Sequence, residues 1–73
     1  MPEKILITGA CGQLGSVLTK RLQIKWGIQN VIATDLYLNT AFEGCFQVLD
    51  ATSFDALQLL VSENNITQIY HLA

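Results

Sequence analysis

Short apolar runs alternating with helix-like stretches predict an α/β fold built on a parallel sheet. Four runs read as strands: KILIT at 4–8, NVIATD at 30–35, CFQVL at 45–49 and TQIYHL at 67–72. Two of the three segments between them carry apolar residues at helical spacing. A length of 73 residues leaves room for one domain at most.

The first strand stops at Gly9. From Gly12 to Trp26, the residues Leu14, Val17, Leu18, Leu22 and Trp26 form one stripe, the pattern of an amphipathic helix. Gly27 is placed to be its left-handed stop. The second strand ends in Asp35, and residues 36–44, with Asn39, Thr40 and Gly44, lead to the third. A parallel crossover usually takes about a dozen residues or more, so this shorter connection is expected to be a tight loop or a single helical turn. Thr52, followed three residues later by Asp55, resembles a capping box. Leu57, Leu60 and Val61 then supply the second helix with its apolar face.

Right-handed crossovers put the strands in the order 3-2-1-4, with helices on both faces of the sheet. One helix per face cannot cover four strands. The chain is therefore expected to expose apolar sheet surface and an open fourth-strand edge. Self-association, or the remainder of a longer chain, would cover them.

Composition narrows the partners. The formal net charge is −2, with 51% hydrophobic and only 14% charged residues, against a typical charged share of ~25%. Lys4, Lys20, Arg21 and Lys25 all precede Trp26, while Asp35, Glu43, Asp50, Asp55 and Glu63 follow it. No basic stripe is available to neutralise a phosphate backbone, so nucleic acid is not an expected partner. No apolar run approaches the ~20 residues that span a bilayer. The start MPEK has no signal-peptide features, so no membrane and a cytoplasmic setting are expected. Cys11 and Cys45 lack metal-ligand spacing and are expected to be free thiols, with no metal bound.

The densest chemical signal is ITGACGQLGS, residues 7–16, where the first strand hands over to the first helix. Gly9, Gly12 and Gly15 each have a use there. One allows the sharp turn, the second lets the backbone approach a pyrophosphate, and the third lets the helix lie close on the strand. The helix start, with Gln13 and Leu14 in its first turn, offers free N–H groups and a partial positive charge to an anion, so no lysine is required. An ordinary glycine-rich turn is the competing explanation, and G-x-x-G-x-x-G is not the more familiar G-x-G-x-x-G. Asp35 tips the balance. It follows Gly15 by twenty residues, at the end of the second strand, near the spacing of a carboxylate that accepts both adenosine ribose hydroxyls. That carboxylate would repel a 2′-phosphate, and Leu36 and Tyr37 supply no cation to offset it. NAD is thereby favoured over NADP.

With these motifs the chain resembles the N-terminal part of the extended short-chain dehydrogenase/reductase family, which includes nucleotide-sugar epimerases and dehydratases. ITGACGQLG looks like the family's T-G-x-x-G-x-x-G, VLDATS like its third-strand Asp, and YHLA like its fourth-strand motif. The resemblance covers essentially the whole chain. It implies a partial Rossmann fold, with 1–73 as the N-terminal part of an NAD-binding domain and probably a fragment. The implied cofactor site is Gly9, Gly12, Gln13, Leu14, Gly15, Asp35 and Leu36, together with Asp50 and Ala51 at the adenine and Leu72 and Ala73 along a ribose. Within the family, ILITGACGQLG, KWGIQNVIATD and ITQIYHLA look most like the short-chain-type L-threonine 3-dehydrogenases, which use NAD to oxidise the 3-hydroxyl of threonine.

The family's catalysis uses a Tyr-x-x-x-Lys pair with a Ser or Thr, all downstream of this region. Here Ala41 stands four residues after Tyr37, and Tyr70 has no residue at position 74. No catalytic residue carries over. The chain is expected to be the NAD-binding segment of a dehydrogenase or epimerase, or of a non-catalytic relative that binds a dinucleotide as a sensor. The pairing of glycines with Asp35 disfavours a purely structural module. His71, the only histidine, is expected to be packed or hydrogen-bonded rather than a base. Thr8 is expected to steady the strand end. Cys11 either carries an activated thiol near the helix start or is there because it is small, and Ser16 either donates to a phosphate or is a plain first-turn residue.

Overall fold

A computed structural model describes residues 3–73. The elements run β1 (Ile5–Thr8), α1 (Gln13–Trp26), a short 3-10 turn (Ile28–Asn30), β2 (Val31–Asp35), β3 (Cys45–Val48), α2 (Phe54–Glu63) and β4 (Gln68–His71). Every strand pair is parallel and the order across the sheet is β3-β2-β1-β4. This is the four-stranded half of a Rossmann fold.

Alternation along the strands divides the core into two layers. Ile5, Ile7, Val31 and Ala33 meet Ala10 and Leu22 on the α1 face, with Leu18, Trp26, Phe42, Phe46 and Tyr70 packed around them. Leu6, Ile32 and Leu49 meet Leu60 on the α2 face, with Leu57, Val61 and Ile66 alongside. The inner strands are therefore buried on both sides. The outer strands are not: Val48 is 57% and Ile69 49% exposed.

Helix α1 departs from the expected stripe. Gly15, Thr19 and Leu22 are its buried residues, while Leu14 and Val17 stand 70% and 56% exposed. The cause is Gly15. A Cβ there would clash with the Gly9 carbonyl and lie 2.8 Å from the Ala10 Cα, so this position must face the end of β1. At about 100° per residue, that orientation turns Leu14 and Val17 away from the sheet. Thr19 fits the buried side because its hydroxyl donates to the Gly15 carbonyl at 2.7 Å.

Gly27 ends α1 with the positive φ expected, 96°, but its ψ of 141° is extended rather than left-handed helical. It must also lead the chain into the 3-10 turn. Its N–H still reaches the Gln23 carbonyl at 2.9 Å, and Asn30 Nδ2 donates to the Trp26 carbonyl at 2.7 Å. Residues 36–44 form an irregular loop without a helical turn. Gln23 Nε2 donates to the Glu43 carbonyl at 2.8 Å, and Phe42 packs on Phe46 with ring centroids 5.0 Å apart.

The cap of α2 is Ser53, not Thr52. Ser53 Oγ accepts the Ala56 N–H at 3.4 Å. Asp50 has drawn Thr52 into its own turn, accepting the Thr52 N–H at 2.9 Å and the Thr52 hydroxyl at 2.6 Å through Oδ1. Loss of an N-cap side chain costs about 1 kcal/mol, so Ser53→Ala should lower stability in urea unfolding by about that much, and Thr52→Ala by less. A larger loss at Thr52 would move the helix start back by one residue.

Candidate dinucleotide-binding site

Three segments converge at the C-terminal end of β1. Gly9 turns with φ of 72°. A Cβ on it would lie 2.8 Å from the Ala73 nitrogen and 2.9 Å from the Leu72 carbonyl carbon. The exit of β4 thus crosses directly over the turn, and the Leu72 N–H donates to the Thr8 carbonyl at 3.1 Å. Gly15 supports the same junction from the helix side. Gly12 differs. A Cβ there would meet only the Gly9 carbonyl, at an ordinary 3.6 Å.

The chain's own packing therefore requires Gly9 and Gly15 but leaves open space beside Gly12. That space lies at the start of α1, where Gly12 is the N-cap and no side-chain bond caps the helix. The first-turn N–H groups of Gln13, Leu14 and Gly15 are left to an outside acceptor. No basic side chain occurs in residues 7–16, so the helix end itself supplies the attraction for an anion. The arrangement fits the pyrophosphate of a dinucleotide.

Asp35, at the end of β2, is already oriented. Its Oδ2 accepts the Cys11 N–H at 2.9 Å and its Oδ1 accepts the Leu36 N–H at 2.7 Å. The Cys11 bond foremost, and the Leu36 bond with it, hold the carboxyl below the usual carboxylate range. Each oxygen keeps a further lone-pair site, so the carboxylate can still take a diol. The tie between the glycine turn and Asp35 was not legible in the sequence, because its donor is a backbone N–H.

Asp50 and Ala51 follow β3 at the same end of the sheet, across β2 from the glycine turn. The hydrogen bonds from Thr52, led by its hydroxyl, hold Asp50 low. Cys11 is exposed and its thiol is not activated. Desolvation and the Asp35 charge push it up, against a weak opposing contact from Asn39 Nδ2 at 3.9 Å. Ser16 Oγ donates to the Gln13 carbonyl at 3.1 Å, so it is engaged within its own turn. Next to it, a cleft of about 380 Å³ opens between α1 and the 36–44 loop, lined by Val17, Lys20, Gln23, Asn39 and Phe42 among others. Its walls come from separate parts of the chain, and no spacing in the sequence announces it.

The family model of the NAD dependent epimerase/dehydratase family matches residues 5–73, from the start of β1 through the glycine turn and Asp35 to the exit of β4. The chain belongs to that family. Among epimerase/dehydratase relatives, an uncharacterized protein of Staphylococcus haemolyticus is 35% identical over 75 residues, covering 97% of this chain and 24% of its own length. The L-threonine dehydrogenase of Clostridium difficile is 39% identical with a TM-score of 0.91, over 97% of this chain and 24% of that one. A GalE-like L-threonine dehydrogenase from Cupriavidus necator, solved in its holo form, is 39% identical with a TM-score of 0.90, over 96% and 23%. The chain spans about a quarter of the length of these epimerase/dehydratase relatives. Among the described residues no His, Cys, Asp and Glu cluster could hold a metal, and no helix is long and apolar enough to cross a membrane.

Folding lowers the proton affinity of Asp35, so the native state binds fewer protons than the unfolded chain. The resulting stability is fully present above the ordinary carboxylate range and is lost as pH falls through that range toward the folded value. The advantage of the wild type over Asp35→Asn in urea unfolding, present at about pH 6, should therefore shrink between about pH 4 and about pH 2. An advantage that stays constant over that interval would show that the two N–H groups do not discriminate in favour of the ionised form.

Proposed function

We propose that this chain is the N-terminal, NAD-binding segment of an oxidoreductase of the L-threonine 3-dehydrogenase type. Such an enzyme oxidises a secondary alcohol by hydride transfer to NAD. The observation that carries this reading is the pairing of an uncapped helix start, open beside Gly12, with a carboxylate already oriented at the end of β2.

In this reading Gly9, Gly12, Gln13, Leu14 and Gly15 hold the pyrophosphate, with backbone N–H groups as donors. Asp35 accepts the adenosine ribose hydroxyls and Leu36 borders the adenine. Asp50 and Ala51 meet the adenine edge, and Leu72 and Ala73 flank the second ribose. NAD, when bound, supplies the hydride acceptor. The residues of this chain bind and orient it, and the Asp35 charge disfavours a 2′-phosphate.

The substrate rests on the likeness to the threonine dehydrogenases, and the Tyr-x-x-x-Lys pair belongs to the length of the relatives that this chain does not span. The family's own description favours a second reading, a nucleotide-sugar epimerase or dehydratase segment. A longer reading frame with that pair would establish catalysis, and one without it a dinucleotide sensor. A cytoplasmic setting, and covering of the outer strands by further polypeptide or a second copy, complete the proposal.

Calorimetric titration tests the cofactor site. NAD should bind to the folded chain, and NADP should bind more weakly. Hydrogen bonds to a charged group are worth about 1.5–3 kcal/mol, so Asp35→Ala should weaken NAD binding roughly 10- to 100-fold. Equal affinity for NAD in the wild type and Asp35→Ala would remove the carboxylate from the site. No binding of NAD to the folded chain would sink the proposal for this segment.

A further inference from the structure

The last cross-strand row of the sheet is polar from edge to edge. Gln47, Thr34, Thr8 and His71 are register partners running from β3 to β4. The two central threonines are buried, Thr8 at 1% exposure. Thr34 satisfies its hydroxyl within the sheet, donating to the Ile7 carbonyl at 2.7 Å. The Thr8 hydroxyl instead meets Nδ1 of His71, also at 2.7 Å. A buried hydroxyl needs an acceptor for its proton, and Nδ1 supplies one when the neutral ring carries its hydrogen on Nε2. This bond lies one residue before Gly9 on one strand and one residue before Leu72 on the other. Those are the residues whose backbones meet at the glycine turn.

We infer that His71 is a positioning residue of the dinucleotide site. By accepting the Thr8 hydroxyl it fixes the exit of β4 over the Gly9 turn, so that both ends of the cofactor cradle are held as one unit. The consequence for NAD rests on the proposed function above; the coupling between His71 and the turn does not. Protonation puts a hydrogen on Nδ1, and two donors then face each other. The hydroxyl must rotate to accept, and its own proton loses its partner beneath the turn.

The other titratable groups at this end of the sheet are Cys11, Asp35, Asp50 and Asp55. β1 carries none, and Tyr70 packs on the opposite face with the α1 layer. Asp35 and Asp50 are held low and Cys11 is pushed up. Carboxylates stay ionised and thiols neutral over most of the interval from about pH 5 to about pH 8, where imidazoles change charge.

The test follows backbone amide resonances of the free chain from about pH 8 to about pH 5, across the imidazole range. The Gly9 and Leu72 amides should shift together with the His71 ring, and in His71→Gln they should stay flat. In Thr8→Val the ring should still titrate while the two amides no longer follow it. Flat Gly9 and Leu72 amides in the wild type, with a titrating ring, would overturn the inference. NAD titration at both ends of the range supplies the second readout. Wild-type affinity should fall roughly fivefold or more at the lower pH, and that of His71→Gln should not change. Equal wild-type affinity at both ends would also overturn the inference. Titrating amides in a chain that binds NAD at neither pH would support the coupling and count against the cofactor reading alone.

Discussion

Around Gly9, three stretches of backbone meet with no room for a side chain: the exit of β1, the first turn of α1 at Gly15, and the exit of β4 at Leu72 and Ala73. The rest of the molecule's working end follows from that approach. Because Gly15 has to lie on the strand end, the rotation of α1 is set there. Leu22 enters the core while Leu14 and Val17 face outward. Because the helix starts so close to the strand, its uncapped N–H groups open beside the turn. Because β4 crosses the same point, its last residues become part of the site's wall.

The charges at this end are arranged without a single basic side chain in the glycine turn. Attraction for an anion comes from peptide dipoles, which act over a short range and survive in a chain with net negative charge. The one carboxylate close by, Asp35, is kept from repelling that anion freely by two backbone N–H bonds that fix where its oxygens lie. The same bonds join β2 to the glycine turn. Selectivity between cofactors and rigidity of the cradle thus share one side chain. The neighbouring Cys11 is left an ordinary thiol, since the Asp35 charge works against its ionisation.

The sequence made the sheet legible because burial on two sides leaves no freedom of composition. β1 and β2 can only be apolar or small, and they read as such. The face of α2 was equally plain, since Leu57, Leu60 and Val61 point into a layer with room for them. What misled was competition that periodicity does not record. Leu14 and Val17 fit a helical stripe, yet the steric demand of Gly15 outweighs their hydrophobicity. Thr52 and Ser53 are both good caps, and Asp50 takes the first of them for its own turn. In the site, the glycine positions and Asp35 were visible from spacing. The bond between Cys11 and Asp35 and the cleft beside Asn39 depend on backbone paths that no residue type encodes.

The order of the sheet carries one more consequence, for how such a chain comes off the ribosome. β1 is the first strand made, yet it lies inside the sheet and is bonded on both flanks. Its β2 partner emerges soon after it, but Thr8 and His71 are 63 positions apart. Until that last stretch is synthesised, β1 carries an open flank of unpaired peptide groups. Neither β3 nor β4 bears a charged residue to guard the rims. Contacts this distant in sequence form late, and exposed strand edges are where unfinished chains stick to one another. The segment that holds the cradle is therefore the one whose completion leans most on prompt arrival of distant residues.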